Sequence, residues 1–205
     1  EIGSGKPALQ HLHRSQVAPG SPWRFANALT RFFGCNSYID REIGRVIDAV
    51  DRLHPGETCI VYTSDHGDML GHHGLESKGP MMYEEIVNVP FLVRAPGLRP
   101  KVTDALAGHL DLIPTLLDYA GIACPEYLHG ASLRPLLEGR QAAVHDHLLM
   151  SFTRFAVNHD DYGEFYPVRA VTDGRHKLAV NLFETDELYD LTAVPRETAN
   201  VLLDD

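Results

Sequence analysis

The sequence has no apolar run of 18 or more residues, so no membrane-spanning helix is readable in it. Cysteine is sparse: Cys35, Cys59 and Cys124 are an odd set with no close pair. That excludes a disulfide framework or a zinc knuckle and leaves each as a small hydrophobe suited to burial. Positive charge is also short, with 18 Lys and Arg against 28 Asp and Glu and a net charge of −10. Bulk electrostatics therefore exclude a nucleic-acid binder, and an anionic substrate would need a local cation to attract it. No methionine opens the chain, and residues 1–6 are polar and glycine-rich without the apolar segment of a signal peptide. The chain is expected to begin inside a longer protein, and its compartment stays open.

What is present suits one sizeable core, or one core with a small appended subdomain: 205 residues, 44% of them hydrophobic. Residues 1–24 carry little periodicity and read as a loop or severed connection. Gly3-Ser4-Gly5-Lys6 superficially suggests a phosphate loop, but Pro7 stands where Ser or Thr is needed and no strand precedes it. A long amphipathic helix is predicted over 24–53, with Ile39, Ile43, Val46, Ile47, Val50 and Leu53 on one face and His54-Pro55-Gly56 as its stop. The apolar, β-branched runs 59–63 and 89–93 suit strands buried on both faces of a parallel-rich sheet. Asp111 can cap a helix running to about residue 120, with Pro114 in its first turn and Gly121 as its stop. Another short helix is expected over 132–137.

After residue 145 the character changes. Segments 147–152, 168–172, 175–180 and 188–191 read as strands, and Asp173-Gly174 is a strong hairpin signal. The expected organisation is thus an α/β part over 25–144 and a small antiparallel subdomain over 145–205.

Chemistry concentrates where the first apolar run ends, at Thr63-Ser64-Asp65-His66-Gly67-Asp68. In open α/β sheets, ligands bind beyond the carboxyl ends of strands. The Asp65 carboxylate and a neutral His66 ring could both serve a divalent cation, with Gly67 letting the backbone turn. Two ligands do not complete a site. The residues alone define a candidate metal and anion site at a strand end, with a helix cap or loop hydrogen bond as the bland alternative.

Several ordered segments carry a more specific signal. They are Ser64-Asp65-His66-Gly67-Asp68, then Gly71-His72-His73-Gly74, then Lys78-Gly79-Pro80-Met81-Met82-Tyr83-Glu84-Glu85, then Val89-Pro90-Phe91-Leu92-Val93-Arg94-Ala95-Pro96-Gly97. Tyr38-Ile39-Asp40-Arg41-Glu42-Ile43-Gly44 precedes them, and Asp111-Leu112-Ile113-Pro114-Thr115, Gly130-Ala131-Ser132-Leu133 and Asp186-Glu187-Leu188-Tyr189-Asp190-Leu191 follow. Together, from about residue 25 onward, this order resembles the C-terminal part of sulfatase-family hydrolases of the alkaline phosphatase superfamily. The resemblance implies part of a mixed or parallel sheet sandwiched by helices. It implies that Asp65 and His66 bind a divalent cation, usually calcium, and that Lys78 contacts the sulfate and stabilises charge on it. His73 stands where many members have a loop histidine and is carried as a second candidate for substrate binding. Tyr83 and Glu84 are expected to hold the loop in place.

The chain departs from the family at the nucleophile. Sulfatases carry Cys-x-Pro-x-Arg or Ser-x-Pro-x-Arg, whose first residue becomes formylglycine. Cys124-Pro125-Glu126 has the wrong spacing, and neither Cys35 nor Cys59 is followed by a suitable Pro. The formylglycine and two further metal-binding aspartates are expected outside this chain, which alone should be inactive. The implied substrate is a small-molecule or carbohydrate sulfate ester, with no nucleic-acid partner. The alternatives are a phosphonate monoester or phosphodiester hydrolase of the same superfamily, or a degenerate non-catalytic homologue. A polar segment with Arg154, His159, Tyr162, Tyr166 and Arg169 is a candidate for recognising the alcohol half of the ester.

Overall fold

The computed structural model describes residues 5–16, 22–153 and 166–203. Among the described residues the chain is mixed α/β with two antiparallel sheets. Helix α1 spans Ala8–Gln16, within the stretch expected to be a loop. The helix starts directly after Pro7, whose carbonyl accepts a hydrogen bond from the Gln10 N–H at 3.0 Å. It is too short for periodicity to reveal it. Helix α2 runs over Pro22–Leu53, with a proline in the first turn where its missing N–H costs nothing. Its predicted apolar face is largely exposed: Val46 is 64% and Leu53 69% accessible.

Strands β1 (Ile60–Thr63) and β2 (Phe91–Arg94) pair antiparallel, with Ile60 opposite Arg94 and Thr63 opposite Phe91. The parallel-rich expectation fails for this pair. A continuous apolar run signals two-faced burial and carries no information on strand direction. The connection between the two holds a 3-10 turn over His72–Gly74 and the four-residue helix α3 (Glu84–Val87), whereas parallel neighbours are usually joined by a full crossover helix. An Arg94–Asp51 ion pair at 2.5 Å ties β2 to the end of α2.

Helices α4 (Leu112–Tyr119) and α5 (Arg134–Leu137) follow. Strands β3 (Leu148–Phe152), β4 (Val168–Thr172), β5 (His176–Asn181) and β6 (Glu187–Asp190) then form a four-stranded antiparallel meander in sequence order, as the hairpin signal predicted. The core lies between this sheet and the loop after β1. Met69, Leu75, Met81, Tyr83 and Ile86 pack with Tyr189, while Met82 packs with Tyr166, Val168, Ala170 and Ala179. The segment expected to carry Lys78 is therefore bolted to the meander.

Candidate active site

The end of β1 turns tightly through Ser64, Asp65 and His66. Ser64 Oγ donates to the His66 carbonyl at 2.9 Å, and the His66 N–H donates to Asp65 Oδ1 at 3.0 Å. His66 Nδ1–H donates to the Gly67 carbonyl at 2.8 Å, which leaves the lone pair on Nε2. That nitrogen receives the Lys78 ammonium at 2.8 Å and lies 3.4 Å from Asp65 Oδ2. The three residues singled out by the sequence thus meet at one point, on a cleft of about 740 Å³ lined by Asp65 and His66. Asp65 sits below the usual carboxylate range. Desolvation pushes it up, but the His66 ring, the His66 backbone N–H and the Lys78 ammonium together outweigh that.

Gly67 acts by leaving room. Its N–H donates to the Ile86 carbonyl at 2.8 Å, and a Cβ at this position would fall 1.9 Å from the Glu85 carbonyl oxygen. Its φ is not positive, so the need is for close approach of two backbones rather than the special turn conformation that the sequence suggested.

The loop to Lys78 is closed by Met69 N–H to the Ser77 carbonyl and Gly71 N–H to the Leu75 carbonyl, both 2.8 Å. Leu70, His73 and Ser77 adopt positive φ of 46°, 55° and 59°. The His73 ring stacks on Tyr83, with centroids 4.0 Å apart and planes 14° apart. Its Nδ1 is buried without a hydrogen-bond partner among the described residues, and burial pulls its pKa down to about 4. His73 is absent from the lining of the cleft. The structure gives this substrate-binding candidate a packing position.

Beneath the stack lies a network that the sequence did not disclose. Tyr83 donates to Gln10 Oε1 at 2.6 Å, and Gln10 donates to Glu187 at 3.1 Å. Lys6 donates to the Tyr189 hydroxyl at 2.5 Å and the Glu197 carbonyl at 2.6 Å, and Tyr189 donates to Glu187. Burial lowers the Lys6 pKa to about 8 against the pull of Glu187 and Glu197. Lys177 is fully buried and bridges Glu84 at 2.8 Å and Glu197 at 2.7 Å. Tyr83 and Glu84 do hold the loop, as expected, through residues at both ends of the chain. Lys177 could have been found from strand phase: Ala179 and Asn181 face inward on β5, and period two places Lys177 with them. Lys6 gives no such signal.

The other wall of the cleft is organised by Asp111. It provides no side-chain cap to α4. Its buried carboxylate accepts the Gly108 N–H at 2.8 Å, the Ala131 N–H at 2.8 Å and His145 Nε2 at 2.8 Å. Gly130 lies so close to this turn that a Cβ would fall 1.9 Å from the Leu110 carbonyl oxygen. His109, His129 and His147 line the same cleft. Among the candidates for alcohol recognition, Arg154, His159 and Tyr162 lie outside the described residues. Tyr166 is buried in the core. Arg169 bonds the Phe152 carbonyl and Thr153 hydroxyl at 3.1 and 3.0 Å.

Among the described residues no group of three or more His, Cys, Asp or Glu is placed to hold a metal ion. Asp65 and His66 supply one oxygen donor and one nitrogen donor, which fits part of a divalent-cation shell and no more.

A lysine amine, a carboxylate and an imidazole are thus gathered at a strand end. Comparison with known proteins gives the family. The Sulfatase family model matches residues 5–122, and the model for the N-sulphoglucosamine sulphohydrolase C-terminal region matches 71–205. The chain belongs to the sulfatase family. It is 40% identical over 174 residues to the uncharacterized sulfatase YidJ of Escherichia coli K12, covering 85% of this chain and 34% of that protein. It is 32% identical to the choline-sulfatase of Rhizobium meliloti, covering 83% and 32% of the two. A solved 2-O GAG sulfatase superposes with a TM-score of 0.84 at 28% identity, covering 96% of this chain and 44% of the other. The phosphonate monoester hydrolase of Agrobacterium radiobacter superposes with a TM-score of 0.69 at 26% identity, covering 82% and 36%. The chain thus spans about a third of the length of these curated relatives.

Proposed function

We propose that this chain forms one side of the active site of a metal-dependent sulfate-ester hydrolase, with Lys78 as the group that binds the sulfate. The carrying observation is the convergence of Lys78 Nζ and Asp65 Oδ2 on His66 Nε2, at 2.8 and 3.4 Å, beside an open cleft. Sulfate-ester cleavage needs positioning and stabilisation of charge on non-bridging oxygens. A divalent cation, calcium by family resemblance, would polarise those oxygens when bound. Asp65 and His66 would contribute to its shell. The Gly67 carbonyl fixes the His66 ring so that Nε2 faces the site. Lys78 donates to a non-bridging sulfate oxygen, exchanging its contact with His66 for the anion. In a chain of net charge −10 this local cation opposes the repulsive background. The nucleophile, a formylglycine, and the remaining metal ligands belong to a part of the protein outside this chain.

The test is turnover of nitrophenyl sulfate by the full-length protein. Lys78→Ala should lower it about 10²–10³-fold, and Lys78→Arg should restore only part, because a guanidinium differs in reach and donor geometry. Wild-type rates in the alanine variant would remove Lys78 from the site. The likeness to a phosphonate monoester hydrolase keeps a second reading, the same site acting on phosphonate or phosphate diesters. Running nitrophenyl phosphate and phosphonate esters in parallel decides between them.

A further inference from the structure

We propose that Lys6 is a positioning residue for sulfate binding, acting through Tyr83 to set where Lys78 stands, an inference that rests on the reading of Lys78 as the sulfate-binding group. Lys78 is exposed, and its flexible side chain reaches His66 at the cleft edge. Its placement is therefore decided by the backbone beneath it. That backbone is strained. Ser77, the residue before Lys78, holds φ of 59°, and Leu70 and His73 in the same loop hold 46° and 55°. Residues with a Cβ keep such angles only where the surrounding structure over-determines them.

What holds them lies behind the loop. The Lys6 ammonium sits between two rings, 4.8 Å from the Tyr83 centroid and 4.2 Å from the Tyr189 centroid, and 3.7 Å from Glu187. Gln10 accepts the Tyr83 hydroxyl at 2.6 Å and donates to Glu187 at 3.1 Å. Lys6, Gln10, Tyr83, Glu187 and Tyr189 are each no more than 4% exposed. Tyr83, five residues after Lys78, is thus gripped from the N-terminal segment and from β6. Its ring carries His73 in a stack, which passes the grip to the limb of the loop before Lys78. Arg14 of α1 lies against the same limb, its Nε 3.1 Å from where a Cβ on Gly74 would stand.

Charge is a poor material for stability alone. Buried ion pairs can often be replaced by packed apolar side chains without loss, whereas a satisfied polar network admits one arrangement of its members. Desolvation of Lys6 outweighs its attraction to Glu187 and Glu197 and brings its pKa to about 8. The ammonium is therefore held against its own desolvation, directly beneath the loop that delivers Lys78.

The experiment is a double-mutant cycle on nitrophenyl sulfate turnover by the full-length protein, crossing Lys6→Met and Tyr83→Phe with Lys78→Ala. Tyr83→Phe removes one hydroxyl and keeps the ring stacked on His73, so the cycle can be completed even if Lys6→Met does not fold. With Lys78 present, each variant should lower kcat/KM about tenfold, since misplacing a catalytic group by about 1 Å can cost about 10²-fold. In the Lys78→Ala background neither should lower it further, because no ammonium is left to place. A loss of folded protein would instead scale both backgrounds alike. Equal losses in the two backgrounds, or wild-type turnover in the variants that keep Lys78, overturn the positioning role and leave Lys78 in the site. Wild-type rates in Lys78→Ala alone overturn the reading of Lys78, and the role of Lys6 falls with it.

Discussion

Single residues around the candidate site are held by atoms with little room to move. Gly67→Ala would drive a methyl group into the Glu85 carbonyl, 1.9 Å away, and backbone must shift to admit it. The expected loss is about 1–3 kcal/mol of stability, read as a lower urea midpoint of the full-length protein. His73 predicts a pH dependence. Burial holds its pKa near 4 in the folded protein against an ordinary 6.5. As pH falls from about 6.5 to about 4, the unfolded chain takes up a proton that the folded chain refuses, so stability drops across that window. Because the ring is partly exposed, the drop should be about 1–2 kcal/mol after solvent screening. His73→Phe keeps the stack on Tyr83 and should flatten this part of the stability profile. An unchanged slope would mean that His73 titrates normally. Asp65 and His66 stood out in the sequence at the end of an apolar run, whereas Lys78 was singled out only by the family resemblance, and the fold brings its ammonium to 2.8 Å from His66 Nε2. The sequence could not disclose the burial of Lys6, whose partners Tyr189 and Glu197 lie more than 180 residues away.

Elements were legible where local chemistry decides them. At the β4–β5 turn, Asp173 Oδ1 accepts the Arg175 and His176 N–H groups at 2.8 and 2.6 Å, and Gly174 takes φ of 88°. Those N–H bonds, that of His176 foremost, pull the Asp173 pKa down to about 2. Two adjacent residues thus specify the hairpin. The antiparallel pairing of β1 with β2 was not legible, because strand direction follows from the connection rather than from the runs. The role of Asp111 was hidden for the same reason: a carboxylate before a helix reads as a cap, and only the tertiary fold brings Ala131 and His145 to it. At this scale Lys177 makes a sharp prediction. Its ammonium, fully buried between Glu84 and Glu197, joins β5 to α3 and to the C-terminal tail. Lys177→Met should cost about 3–5 kcal/mol, since two carboxylates lose their counter-charge. Adding Glu84→Gln and Glu197→Gln should return part of that loss. Denaturant unfolding of the single and triple variants reads both, and a neutral single variant would refute the buried-charge account.

For the molecule as a whole, the exposed apolar surface and the proposed calcium site lead to parallel predictions. Val46 and Leu53 on α2, Tyr62 on β1 and Leu92 on β2 are all more than 40% exposed, although the sequence patterned these segments for burial. Exposed apolar area of this kind marks an interaction surface. The chain spans 34% of the length of YidJ and 44% of the solved 2-O GAG sulfatase. The 205-residue chain expressed alone should therefore bind a dye such as ANS strongly, and the full-length protein weakly. The proposed metal site should show the same incompleteness. Calcium takes about six to eight oxygen ligands. Asp65 offers one carboxylate, 84% exposed, and the adjoining donor is a nitrogen already engaged by Lys78. Calorimetry on the isolated chain should find calcium binding no tighter than about millimolar, the range of the weakest protein sites. The full-length protein should bind at least about a hundredfold more tightly, and Asp65→Ala should abolish most of that gain. The isolated chain should also leave nitrophenyl sulfate intact. Tight calcium binding by the isolated chain would require oxygen ligands among these 205 residues that the present geometry does not assemble, and turnover by it would place the nucleophile within them.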